Sequence, residues 1–287
     1  MKKRLLIILL TVITANAIAQ KHASPKVNKK DRVAKLLNEY VKISTIYGDM
    51  FFILYDNTPK HRDNFKKLIR QHYYDSLLFH RIIRDFMIQG GDPDSKNADS
   101  LAFLGNGGPD YTIPAEIRKE HVHVKGALCA ARIGDEMNPN KESSGSQFYI
   151  VQGRKFTRPE IENLMNSRNF QRKQKIFNDY VSKDSSISNK LSELQQTKGK
   201  EAILKYLSEL QPTIDKFYES KEYLYTSDQV LSYTEKGGAP HLDNEYTVFG
   251  RLVSGMDVLD KIATVYTNPQ TNRPIIDIRM NISIVKR

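Results

Sequence analysis

The 287-residue sequence holds a single cysteine, Cys129, and no tryptophan. One thiol excludes an internal disulfide framework, and a chain of this length can bury a full core without disulfides or a structural metal. Metal-ligand patterns are sparse. His121 and His123 form an H-x-H pair, but no neighbouring cysteine or paired carboxylate completes a site, so no metal and no cofactor is expected. Charge of one sign never gathers into a run. The 44 Lys+Arg and 33 Asp+Glu are interleaved, so a formal net charge of +11 describes no basic patch and argues against nucleic acid as a partner. With 39% hydrophobic residues the composition is that of a globular protein, neither fibrous nor disordered.

The longest apolar run stands at the start of the chain. Lys2, Lys3 and Arg4 precede apolar residues 5–13, and Ala17-Ile18-Ala19 offers a small-residue cleavage site before Gln20, which is the pattern of a secretory signal over residues 1–19. Thr11, Thr14 and Asn16 interrupt the run, leaving it shorter than the roughly 20 residues a spanning helix requires. No cysteine follows to carry a lipid, and no later stretch is long enough to span. The expectation is a mature chain from Gln20, exported to a periplasm-like or extracellular space, with no membrane span after cleavage. Loss of the three basic signal residues lowers the formal charge from +11 to +8.

Residues 20–28 read as a polar leader, and Val33, Leu36 and Leu37 at helical spacing predict a short helix over 30–40. Apolar or β-branched runs at 41–46 and 50–55, joined through Tyr47-Gly48-Asp49, predict a hairpin. Thr58 as a cap and Pro59 in the first turn open a helix that turns Phe65, Leu68 and Ile69 inward. Further strands are expected at 78–83, 86–89, 127–131, 147–151, 247–252 and 276–285. Short strands in Gly- and Pro-rich loops, with few helices among them, argue for an antiparallel barrel rather than a βαβ sheet. Between 154 and 239 the pattern turns helical. Thr157-Arg158-Pro159-Glu160 resembles a capping box before a long helix carrying Ile161, Leu164, Met165 and Ile176. A second helix runs through Ile203 to Phe217, and a third over 227–236 is stopped by Gly237-Gly238. This stretch reads as a helical insertion in one β domain made of residues 40–153 and 240–287.

Phe79-His80-Arg81-Ile82-Ile83-Arg84-Asp85-Phe86-Met87-Ile88-Gln89-Gly90-Gly91-Asp92 strongly resembles the signature of cyclophilin-type peptidyl-prolyl cis-trans isomerases. The likeness continues in family order. Thr58-Pro59 and Asn64-Phe65 precede it; Gly107-Gly108-Pro109, residues 111–116, Ser144-Gly145-Ser146-Gln147-Phe148-Tyr149-Ile150, His241-Leu242-Asp243 and Thr247-Val248-Phe249-Gly250 follow. The resemblance implies a mainly β, closed eight-stranded antiparallel barrel capped by two helices. It also implies that Arg81 is the catalytic arginine and that Gln89 hydrogen-bonds the substrate backbone and orients it. Phe86, Met87, Tyr149 and Leu242 fall where the family lines its proline socket, and His80, Ala131, Arg132, Gln147, His241 and Tyr246 complete the implied substrate-binding set. Proline-containing polypeptides, including folding clients, are the implied partners.

The chemistry fits the residue types. Resonance gives an X–Pro amide a rotational barrier of about 18–20 kcal/mol. A guanidinium stays charged at any working pH and carries a rigid fork of donors suited to the twisted amide, and no base, nucleophile or metal is needed because no bond breaks. His80 therefore reads as structural or as pocket wall, and Cys129, in an apolar strand, as a small packed hydrophobe. Several positions depart from the family pattern. Arg132 stands where many members carry Asn, Tyr149 where they carry Phe, and His241 where they carry the Trp associated with strong cyclosporin binding, so weak cyclosporin binding is expected. The insertion joins the barrel close to Tyr149 and Leu242, where it could wall the groove and alter substrate range. A module that holds unfolded clients through the insertion is the rival reading, and the intact Arg81, Phe86, Met87 and Gln89 set favours the enzyme.

Overall fold

The computed structural model describes residues 39–197, 199–219 and 222–286. The expected signal and leader lie outside the described residues, as does most of the helix expected over 30–40. Its last two positions, Glu39 and Tyr40, instead open strand β1 (Glu39–Thr45).

β1 and β2 (Gly48–Leu54) form the expected antiparallel hairpin, with Thr45 opposite Gly48. Gly48 sits at φ +125, a conformation that side-chain-bearing residues rarely adopt. The sheet continues through β3 (Leu77–Leu78), β4 (Arg81–Ile83), β5 (Met87–Gly90), β7 (Ala127–Ala130), β9 (Phe148–Val151), β10 (Val248–Ser254) and β11 (Arg279–Lys286). β6 (Thr112–Ile113) and β8 (Ser143–Ser144) pair separately. In place of a closed eight-stranded ladder, the strand order is an open list of nine, β3-β11-β1-β2-β10-β7-β9-β5-β4, with antiparallel neighbours throughout. The two terminal strands are nonetheless close. Only Phe79-His80 separates β3 from β4, and three residue steps reach at most about 11 Å, so the sheet must curl into a half-barrel. The single strand expected over 78–83 is split at this point, where the Phe79 N–H turns to the carbonyl of Ile278 at 2.9 Å and the Ile82 N–H to that of Asn272 at 2.8 Å.

Helix α1 (Pro59–Arg70) starts at Pro59, as expected, but Thr58 does not cap it with its side chain. The Thr58 hydroxyl donates to the carbonyl of Tyr55 at 3.4 Å, and the helix's free N–H groups at Lys60 and His61 donate to the carboxylate of Glu116 at 3.1 and 3.0 Å. A carboxylate at a helix N-terminus satisfies orphan donors and complements the helix dipole. The His61 ring joins Glu116 to Ser143 at 2.8 and 2.9 Å, and burial holds its pKa below the ordinary histidine value.

Between β9 and β10 the chain forms α2 (Arg158–Lys183), α3 (Ser185–Thr197), α4 (Gly199–Glu219) and α5 (Ser227–Glu235). The capping box of α2 is present: the Glu160 N–H donates to the Thr157 hydroxyl and the Glu160 carboxylate accepts from the Thr157 N–H at 2.7 Å. α3 had no counterpart in the sequence reading. Entry and exit of the segment meet at Gly238, which bridges both Arg154 and Val124. A Cβ there would lie 2.3 Å from the His123 carbonyl oxygen, so only glycine permits the approach.

The last helix, α6 (Met256–Ala263), buries Val258, Leu259, Ile262 and Ala263. Together with Phe65, Leu68 and Ile69 of α1 it covers a core containing Ile82, Ile88, Leu128, Ala130, Phe148 and Ile150. The alternate residues Met87, Ala127, Cys129, Tyr149 and Val151 form a second apolar cluster. Strand periodicity of two explains the division: each strand sends one set of side chains into the core and the other to the opposite face.

Candidate active site

The strand register lays a line of residues across that opposite face. Arg81 of β4 pairs with Gln89 of β5, Gln89 with Tyr149 of β9, Tyr149 with Cys129 of β7, and Cys129 with Val248 of β10. Directly paired residues share a face. Over this line opens a cavity of about 110 Å³, lined by Arg81, Phe86, Met87, Gln89, Ala131, Arg132, Tyr149, Leu242 and Tyr246. Its floor is apolar, because Met87 and Tyr149 are buried there, and its rim is polar.

A chain of amides fixes the rim. Arg81 Nη1 donates to Gln89 Oε1 at 3.1 Å, Gln89 Nε2 donates to Gln147 Oε1 at 3.1 Å, and Gln147 Nε2 donates to the carbonyls of Gly105 and Gly107 at 2.9 and 2.7 Å. Two backbone acceptors settle which end of Gln147 carries nitrogen, and that choice propagates to Gln89 and Arg81. No carboxylate pairs with Arg81 among the described residues, so the ion pair with Asp85 that their proximity in sequence allows is not made. Partial burial lowers the Arg81 pKa, yet a guanidinium remains cationic at neutral pH.

Three residues of the implied substrate-binding set do not line this cavity. His80, next to Arg81 in the two-residue link between β3 and β4, is 3% exposed and lines none of the described cavities. Among the described residues neither of its ring nitrogens has a hydrogen-bond partner, and burial lowers its pKa to about 4. Gln147 lies behind Gln89, where it holds the rim and lines a neighbouring groove of about 430 Å³ that shares Gln89, Ala131 and Arg132 with the cavity. His241 lies outside the cavity, with its ring 5.3 Å from that of Phe86. The H-x-H pair diverges: His121 is stacked on Tyr55 at 3.9 Å while His123 is buried. Among the described residues no group of three or more His, Cys, Asp or Glu is placed to hold a metal ion.

The family model for cyclophilin type peptidyl-prolyl cis-trans isomerase/CLD matches residues 40–201 and 226–284. The chain belongs to this family. Among curated relatives, a Staphylococcus saprophyticus protein named "Putative peptidyl-prolyl cis-trans isomerase" is 31% identical, over 83% of this chain and 88% of its own. A Streptococcus pyogenes protein named "Putative bifunctional phosphatase/peptidyl-prolyl cis-trans isomerase" is 32% identical over 80% of this chain, which spans only 35% of that longer protein. A solved cyclophilin type isomerase from Cryptosporidium parvum aligns with 88% of this chain and 98% of its own, at 22% identity and a TM-score of 0.49.

In this cyclophilin the cavity wall is tied to groups that the sequence reading did not connect. The Tyr149 hydroxyl lies 3.0 Å from His123 Nε2, and His123 Nδ1 lies 2.8 Å from Asp243 Oδ1. Asp243 also accepts from the hydroxyls of Tyr225 and Tyr233, at 2.8 and 2.6 Å, both outside the β framework. Burial pushes the Tyr149 phenol and the Cys129 thiol well above their ordinary pKa values, so both stay protonated and Cys129 is a packing residue. Arg132 closes the opposite rim, stacking over Tyr246 at 4.4 Å and pairing with Asp135 at 2.6 Å.

Proposed function

We propose that this cyclophilin isomerises X–Pro bonds in polypeptides, with Arg81 as the catalytic residue and the apolar cavity as the seat of the proline ring. The observation that carries the reading is a guanidinium with no carboxylate partner among the described residues, held by Gln89 at the mouth of an apolar cavity of about 110 Å³. Phe86, Met87, Tyr149 and Leu242 surround the ring. Rotation about the C–N bond removes amide resonance and returns the lone pair to nitrogen. The Arg81 donors face that developing charge without reorganising, which is the circumstance in which fixed charges contribute most to a rate. Gln89 positions Arg81 and offers the substrate backbone a hydrogen bond. Nothing in the step requires a proton acceptor, in keeping with the withdrawal of His80 from the cavity.

The N-terminal pattern of residues 1–19 supports an exported enzyme whose clients are other exported chains refolding across slow prolyl steps, which take tens to hundreds of seconds uncatalysed. Weak cyclosporin binding accompanies this reading, with His241 in place of the family tryptophan. A protease-coupled assay on a short X–Pro peptide tests the activity. Acceleration of the cis-to-trans phase in proportion to enzyme supports it, and a folded protein that leaves the phase unchanged would refute it.

A further inference from the structure

Beside the proline cavity lies a second, larger one of about 600 Å³. The two share Phe86, and the Phe86 and His241 rings stand between them with centroids 5.3 Å apart. The far wall belongs to α2, whose Asn163, Leu164 and Ser167 lie within one turn and face the rings. That wall is held in place. Arg168, next to Ser167, donates to the carbonyls of Pro240 and His241 at 3.1 and 3.3 Å and to that of Asp243. The charges lining the cavity are largely spent on one another: Arg154 pairs with Glu160 at 3.0 Å and stacks over Phe156 at 3.9 Å. What remains is an apolar surface of Phe86, Leu164, Phe156 and Pro240, with Asp85, His241 and amide and hydroxyl groups beside it.

A polypeptide seated by its proline must leave the cavity on both sides. One exit is the groove of about 430 Å³ along Gln89 and Arg132; the other runs over Phe86 to the α2 cavity. We propose that the α2 cavity is a substrate subsite, which takes an apolar side chain about two to three residues from the proline of the same polypeptide. It rests on the isomerase reading above. Helix α2 thereby selects sequence at a distance from the reacting bond, and Asn163 and Ser167 are positioned to hydrogen-bond the backbone of the bound segment.

The test uses the protein with a tetrapeptide carrying a central X–Pro bond and two nonapeptides of the same core, one with Leu before and one with Leu after the proline, each about three residues away. Leu164→Asp and Ser167→Arg are expected to raise KM at least fivefold for one of the nonapeptides and to leave kcat/KM for the tetrapeptide within twofold. Ser167 is exposed, so Ser167→Arg carries the test if Leu164→Asp does not fold. Unchanged KM for both nonapeptides, or an equal loss on all three peptides, would overturn the subsite. A folded wild type inert on every peptide would overturn the isomerase reading itself, and the subsite with it.

Discussion

The imidazole of His123 bridges the proline cavity and the helical segment, with Nε2 3.0 Å from the Tyr149 hydroxyl and Nδ1 2.8 Å from Asp243. With Asp243 an acceptor, Nδ1 carries the proton and Nε2 accepts from Tyr149. The phenol that the family pattern leaves out is therefore satisfied, and the cavity wall is fixed through Asp243 to Tyr225 and Tyr233.

Tyr149→Phe removes the donor to a buried ring nitrogen. The expected loss is about 1–2 kcal/mol of unfolding free energy, read by urea titration. The phenyl ring still lines the cavity, so kcat/KM stays within about threefold. A tenfold fall in activity would show that the hydroxyl has a role in the reaction.

Asp243→Asn keeps the shape but replaces an acceptor of four groups, the His123 N–H and ring and two tyrosine hydroxyls, by a neutral amide. A loss of about 3 kcal/mol is expected, because hydrogen bonds to a buried charged acceptor are weakened and the new amide N–H groups face other donors. Limited proteolysis should cut faster within residues 184–226. A variant as stable as the wild type, with the same cleavage rate, would contradict this account of the anchor.

Acid should destabilise the fold through its buried histidines. Burial depresses the folded pKa of His80 to about 4, from the ordinary histidine value of about 6.5. Its contribution is complete above 6.5 and is lost as pH falls from 6.5 toward 4, because the unfolded chain binds the proton first; the loss is about 3 kcal/mol. Burial acts on His61 in the same direction. His80→Leu should flatten the pH dependence of stability in this window with little change at pH 7, measured by urea unfolding at half-unit steps. A variant with the wild-type slope would contradict the assignment.

Gly238→Ala places a methyl 2.3 Å from the His123 carbonyl oxygen and 2.6 Å from the Tyr233 ring. A backbone obstacle cannot swing aside, so a loss of about 2–3 kcal/mol is expected. Thermal unfolding checks it, and a variant of unchanged midpoint would mean that the junction is looser than described.

The strands and the cavity were legible in the sequence for different reasons. β1, β2 and the cores of β7, β9 and β10 follow from apolar or β-branched runs, while Arg81, Phe86, Met87 and Gln89 were found through a local block of the family pattern. Features set by distant partners left no local trace. Glu116 caps α1 from more than fifty residues away, and Asp243 meets His123 across 120 residues. His80, read as structural or as pocket wall, is buried in the two-residue link between β3 and β4, a place that no local pattern marks. α6 could have been found, since Val258, Leu259 and Ile262 keep helical spacing. The second helix of the inserted segment, α3, is polar and offers little pattern beyond Ile187 and Leu194.

The most direct measurement of the central claim is kcat/KM for Arg81→Ala and Arg81→Lys in the protease-coupled assay, beside the wild type. Removing a preorganised charged donor predicts a fall of at least about 100-fold for Arg81→Ala. Arg81→Lys keeps the charge without the planar fork, so only partial activity should return. Both variants should fold, since Arg81 is only half-buried and, among the described residues, its side chain bonds to Gln89 and, weakly, to Met87. Wild-type kcat/KM in a folded Arg81→Ala protein would contradict the account.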